Sequence, residues 1–234
     1  MSAPLPGALP PPVDAARPVF ISVPAGGGLD GMGRLVARLL GTWGVREPLA
    51  VSMKAWPAQA DVLDVAAIAV RHRLAATRLD PVELADLRAI GLPAIVEVQE
   101  PGGRRPYLAL AIDYDQARLA APTGEEVRVT LSSLEASWTR AAWLIWRNVD
   151  GLPTGPGEPW TPAMWVAAAS RLRSLGYLPP NPSGSSEEER MFEAIRRFQA
   201  SAGLRSDGIL GPLTVLALAR AAAGPLTPGL VNAH

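Results

Sequence analysis

Between residues 93 and 147 the chain alternates apolar and polar positions with a period of two. PAIVEVQ (93–99), RRPYLALAID (104–113), QARLAA (116–121), EEVRVTL (125–131) and RAAWLIWR (140–147) predict consecutive strands. EPGG, DYDQ and PTGE carry turn residues between them, and SSLEASW (132–138) suits one or two helical turns before the last strand. Upstream the period lengthens. VFISVP and LAVSM (49–53) read as short strands, while GMGRLVARLLGTWG, DVLDVAAIAVRHRL (61–74) and DPVELADLRAIG (80–91) read as helices. In the last of these Asp80 is placed as N-cap, Pro81 at the first helical position, Glu83 for a capping box and Gly91 as the stop.

The C-terminal third has only the helical period. WTPAMWVAAASRLRSLGY starts at Thr161 and Pro162, as cap and first residue, and ends at Gly176. SSEEERMFEAIRRFQASAG sets Met191, Ala194, Ile195 and Phe198 on one stripe, with three glutamates in the first turn, where the helix dipole favours negative charge. GPLTVLALARAAAG begins with Pro212. Helices followed by an antiparallel meander, then three more helices, predict an α+β domain and a small all-α bundle.

Breaks in the pattern divide the chain. Residues 1–18 are proline-rich and read as an extended linker or tail, and NVDGLPTGPGEP (148–159) reads as a second linker. They leave domains at 19–147 and 160–224, and a tail at 225–234.

Composition narrows the chemistry. Among 234 residues, 48% are aliphatic or aromatic, which is ample for a core. Lys and Arg number 22 and Asp and Glu number 22, so no net field draws the chain to nucleic acid or to acidic lipid. Cysteine is absent and histidine occurs only at His72 and His234, which excludes disulfides, thiol nucleophiles, thiolate metal sites and multi-histidine sites within this sequence. No apolar run reaches the roughly 20 residues of a membrane helix, and the N-terminus lacks a signal peptide's charged start and apolar middle. No cofactor is expected.

GGGLDG (26–31) fits a dinucleotide-binding glycine pattern. Neither further parallel strand–helix units nor an acidic residue ending a second strand follows, so a glycine-rich turn is the better reading. Asp113, Asp115, Glu125 and Glu126 are candidate catalytic acids by type, but they fall in turns, where solvated carboxylates are ordinary.

DGILGPLT (207–214) carries the most specific signal. Gly208 and Gly211 allow conformations and close approaches that a side chain would block. Asp207 is placed to accept backbone N–H bonds, Thr214 to return a hydroxyl to the turn, and the start of the third helix to offer N–H groups to a carboxylate. Phe198, Leu204, Ile209 and Leu216 are expected in the core.

With RLRSLGY (171–177) and AIRRFQASAGL (194–204), this stretch resembles the three-helix peptidoglycan-binding domain of bacterial cell-wall proteins, over about a quarter of the chain. The resemblance implies peptidoglycan as the ligand, with Tyr177, Arg205, Asp207, Gly208, Gly211 and Thr214 as its contacts. PPNPSGSSEEER stands where that family often has a second Asp-Gly turn.

RRPYLALAID, ARLAAPTGEEVRVTLSSLEASWT and WLIWR make the first domain similar to papain-like peptidases that trim double-glycine leaders. Their chemistry needs a thiolate, an imidazole and an orienting carboxylate. Here Pro106-Tyr107 replaces the expected histidine dipeptide, Ala121-Pro122 replaces Asp-Pro, and His72 sits between two arginines on a helix. With LLGTWGV (39–45), the pair of domains resembles the periplasmic region of the general secretion pathway protein A family. The implied role is a noncatalytic wall-binding scaffold in the periplasm or envelope. A secretion or envelope protein is its implied second partner, with Trp138, Trp143 and Trp146 as interface or core residues. A wall hydrolase and a protein-interaction module without wall affinity are the competing classes.

Overall fold

The computed structural model describes residues 29–46, 65–155, 157–179, 186–222 and 227–230. VFISVP, LAVSM, the three glycines of GGGLDG, residues 1–18 and most of PPNPSG lie outside the described residues. Helix α1 spans Leu29–Thr42 and α2 spans Val65–Arg71. They are followed by β1 (Ala75–Leu79), α3 (Leu84–Ile90), β2 (Ala94–Glu100), β3 (Gly103–Ile112), β4 (Gln116–Ala120), β5 (Glu126–Thr130), α4 (Leu131–Ser137) and β6 (Trp138–Trp146). Helices α5 (Pro162–Ser174), α6 (Glu187–Ser201) and α7 (Pro212–Ala221) complete the chain. The arrangement is α+β, helices with an antiparallel sheet and then a helical bundle.

Three local expectations change. The helix over 61–74 stops at Arg71, because Arg73 takes a positive φ of 57° and Leu74 bonds back to the Ala69 carbonyl. The residues that follow form β1, which the composition AATRL did not signal. The next helix begins not at Asp80 but at Glu83, which occupies the N-cap with its own N–H donated to the Asp86 carboxylate at 3.3 Å. Val82 is held instead by the Arg140 carbonyl at 2.9 Å, so the chain between Asp80 and Glu83 belongs to a sheet-edge turn. Gly91 does close the helix, at φ 68°.

Among the described residues the sheet has six strands, in the order β1-β6-β2-β3-β4-β5. The meander holds from β2 to β5, but β6 crosses back and inserts between β1 and β2, pairing Trp146 with Ala75 and Leu144 with Ala94. Side chains of alternate parity enter separate clusters. Ala76, Ile95, Leu108 and Ile145 pack with Leu35 and Leu39 of α1 and Ile68 of α2. Their neighbours Ala75, Val96, Ala109, Leu144 and Trp146 face a second cluster that includes Leu87 and Ile90 of α3. Burial on both faces explains why PAIVEVQ and AAWLIW are so apolar. The Trp43 indole donates to the Ile145 carbonyl at 3.0 Å, fixing the end of α1 to β6.

The second cluster continues without a break into the bundle, taking in Leu172, Ile195, Phe198, Leu216 and Leu218. Helix α3 lies against α7. The Leu230 N–H reaches the Gly91 carbonyl at 2.8 Å, and Arg171 pairs with Asp150 at 2.6 Å. The two sequence domains therefore share one core.

Candidate functional site

The bundle's helices begin as their capping residues dictate. Thr161 Oγ1 accepts the Met164 N–H at 3.3 Å, with Pro162 at the first position. Ser186 and Glu189 form a reciprocal capping box at 3.1 and 3.0 Å. Met191, Ala194, Ile195 and Phe198 are buried as one stripe.

The turn before α7 is organised by Gln199, a residue to which the sequence reading assigned no role. It is 1% exposed. Its amide nitrogen donates to Asp207 Oδ1 (2.9 Å), to the Ile209 carbonyl (3.0 Å) and to Thr214 Oγ1 (3.0 Å). Its carbonyl oxygen accepts the Gly208 N–H at 2.8 Å. The signal was available as a polar residue inside an apolar stripe, directly after Phe198. A buried amide requires partners, and a turn rich in unpaired backbone groups provides them.

The expected residues distribute around this network. Asp207 accepts the Ile209 N–H at 2.9 Å, as a turn carboxylate should. Partial burial works to raise its pKa, but the Ile209 N–H, the Gln199 amide and the Arg205 charge outweigh it and hold the carboxyl below its ordinary value. Thr214 is buried and donates to the Ile209 carbonyl at 3.2 Å, so it is linked to Asp207 through Ile209 and Gln199 rather than directly. Gly208 sits at φ 75°, and a Cβ there would come within 2.2 Å of the Phe192 ring. Gly211 differs from expectation, because it has an extended backbone as N-cap of α7 and open space where a Cβ would be. Arg205 is exposed. Tyr177 is half-buried, edge-on to Phe198 at 5.5 Å with its hydroxyl 2.6 Å from Ser201 Oγ.

Ile209 is not in the core. It is 63% exposed, and Leu210 takes the interior place. Both backbone groups of Ile209 face inward to Asp207, Gln199 and Thr214, which turns its side chain to solvent.

A groove of about 830 Å³ runs between α5 and α6 and ends at Gly208. Trp165 and Val166 on α5 and Phe192 on α6 line it with exposed apolar surface. Trp165 is braced by Trp160, ring centres 5.0 Å apart. Of the six residues expected to contact a ligand, only Gly208 lines this groove. It does so by what it lacks, since its bare backbone lets the Phe192 ring lie across the turn.

In the first domain Pro106 lies within β3 opposite Glu97, and Tyr107 is buried beside it. The Tyr107 hydroxyl donates to the buried Glu100 carboxylate, which Arg105 also pairs at 3.2 Å. Burial and the Glu100 carboxylate push the Tyr107 pKa well above its usual range. Pro122 packs against Gly31 of α1 so closely that an added Cβ would sit 2.8 Å away. His72 follows the end of α2 and is half-buried. Asp115, Glu125 and Glu126 are exposed, and Glu126 pairs with Arg38 and Arg118. Trp138 and Trp146 are core residues, while Trp143 is partly buried on the face covered by α1 and α2. Among the described residues no three His, Cys, Asp or Glu side chains converge as metal ligands, and no helix is long and apolar enough to cross a membrane.

Residues 163–218 match the family described as "Putative peptidoglycan binding domain". The match runs from the first turn of α5 into α7, so it contains the Gln199 network and every groove-lining residue but Pro162. No curated protein matches the chain. Among solved structures, it is similar to a periplasmic domain of the EpsAB fusion protein of the Vibrio vulnificus type II secretion system. That similarity has 16% identity and a TM-score of 0.42, over 84% of this chain and 80% of that one.

Proposed function

We propose that the chain is a noncatalytic peptidoglycan-binding scaffold of the periplasm or cell envelope, and that the α5/α6 groove holds the ligand. The observation that carries this reading is the groove itself, which lies inside the matched stretch and exposes Trp165 and Phe192 on apolar walls. Aromatic faces held rigid by neighbours bind with little loss of side-chain freedom. Asp207, Thr214 and Gln199 support the site from behind, and Gly208 shapes its end. The noncatalytic part rests on a sequence without cysteine and on Pro106 and Ala121-Pro122 at the positions where the resemblance expects a base and its orienting acid. The first domain then serves as a contact for a protein partner, with assistance to type II secretion pore assembly as the role suggested by the sequence resemblance.

Co-sedimentation of the full chain with purified sacculi tests the wall-binding reading. The wild-type chain should pellet without releasing soluble muropeptides. The Trp165→Ala/Phe192→Ala double variant should pellet about tenfold less well, the loss of roughly one aromatic anchor's contribution. A wild-type chain that stays in the supernatant refutes wall binding, and release of muropeptides refutes the noncatalytic assignment.

A further inference from the structure

Four charged side chains join the apolar walls of the groove, Arg173 from α5 and Glu187, Glu188 and Arg190 from α6. Among the described residues the ion pairs of the bundle lie elsewhere, at Arg171 with Asp150 and at Arg196 with Glu193. Glu189, not Glu187 or Glu188, supplies the helix cap. Arg190 is half-buried, and its Nε is cut off from water with no hydrogen-bond partner among the described residues. Part of its guanidinium is therefore withdrawn from solvent, and among the described residues it forms no ion pair with a carboxylate, a condition that favours an incoming anion. Glu187 and Glu188, which form no ion pair among the described residues, stand along the same helix within the same groove.

We infer that this groove reads the peptide half of the wall polymer rather than its glycan. The moiety it takes carries a carboxylate and an ammonium close together, as at the uncrosslinked amino-acid end of a stem peptide. Arg190 and Arg173 receive the carboxylate, and Glu187 and Glu188 receive the ammonium. The walls of Trp165, Val166 and Phe192 cover the aliphatic stem between the charges and the backbone. A neutral glycan would meet the aromatic walls but leave both pairs of charges unanswered, and charge complementarity of this kind sets specificity. The inference rests on the proposal that the groove binds peptidoglycan.

The test uses the full chain with three soluble probes measured by calorimetry. They are the tripeptide L-Ala-γ-D-Glu-meso-diaminopimelate with its side-chain end free, the same peptide with that end acetylated and amidated, and chitotetraose acetylated on every nitrogen. The free tripeptide should bind, blocking its end should weaken binding at least tenfold, and the chitin fragment should not compete. Arg190→Gln should weaken the free tripeptide about tenfold, with Arg190→Lys intermediate and all differences shrinking at high salt. Arg173→Gln, on the other helix, provides a second variant if Arg190→Gln does not retain the wild-type melting temperature. Equal affinity for free and blocked peptides, competition by the chitin fragment, or unchanged binding by both folded glutamine variants overturns the inference. A chain that pellets with sacculi but ignores the free tripeptide also overturns it, while leaving the wall-binding proposal standing. A chain that does not pellet at all removes that proposal first.

Discussion

Replacing Gln199 with leucine is the most informative perturbation of the bundle. Leucine keeps much of the buried volume and removes the amide, so the change isolates the polar network from packing. Gln199 takes part in four hydrogen bonds of 2.8–3.0 Å. The amide nitrogen has two N–H groups to share among its three acceptors, so with the accepted Gly208 N–H there are three bonds' worth; at about 0.5–1.5 kcal/mol net for each, the gross contribution is roughly 1.5–4.5 kcal/mol. Partial rescue is built in. Asp207 keeps the Ile209 N–H, and Thr214 keeps the Ile209 carbonyl. The Gly208 N–H loses its side-chain acceptor, at a cost of about 1–3 kcal/mol. The expected destabilisation is therefore about 3 kcal/mol, or a drop of roughly 6–12 °C in melting temperature for a chain of this size. Urea titration followed by tryptophan fluorescence and far-ultraviolet circular dichroism measures it, with an unchanged m-value confirming that stability alone has moved. A loss below about 1 kcal/mol would mean that the network does not hold the turn.

The other expectations address the turn and the buried acid of the sheet. Gly208→Ala forces a side chain onto a backbone at φ 75° and into the Phe192 ring; it should cost about 1–2 kcal/mol and move that ring out of the groove, so sacculus pelleting should fall more than stability does. Asp207→Asn should narrow its stability gap from the wild type in acid. Asp207 has a depressed pKa in the folded state, so its contribution is full above the unfolded value near 3.9 and fades as pH falls through the folded one; a gap independent of pH would contradict this. Tyr107→Phe leaves the buried Glu100 carboxylate with Arg105 as its remaining partner among the described residues and should cost about 1–3 kcal/mol in denaturant titrations at neutral pH. Because the Tyr107 pKa is raised on folding, its contribution is full below about 10 and declines as pH rises further, a slope that the phenylalanine variant should lose.

The parts of the molecule readable from sequence share a local cause. Thr161-Pro162 and Ser186 with Glu189 cap their helices through bonds spanning three residues, and the Met191–Phe198 stripe needs only the helical period. The misplaced start of α3 is instructive, because Asp80-Pro81 carries the usual signals of a helix start. The Arg140 carbonyl, almost sixty residues away, takes the Val82 N–H. The strand β1 carries no local signal for a related reason: its five residues show no alternation, and it is the Trp146–Ala142 segment of β6 that pairs with it. Gln199 was visible as a letter, but its role depends on a turn eight to fifteen residues later coming back over it.

The sequence alone determined the Thr161-Pro162 start of α5, the strand-rich middle, the all-helical end and the chemistry excluded by the absence of cysteine, since each depends on residue type and short spacing. Tertiary structure decided the insertion of β6 between β1 and β2, the single core joining the sheet to the bundle, the outward turn of Ile209 and the meeting of Trp165, Phe192 and Gly208 in one groove. Those features arise from contacts between distant segments, whose partners are chosen by burial and by the pairing of backbone groups rather than by any local pattern.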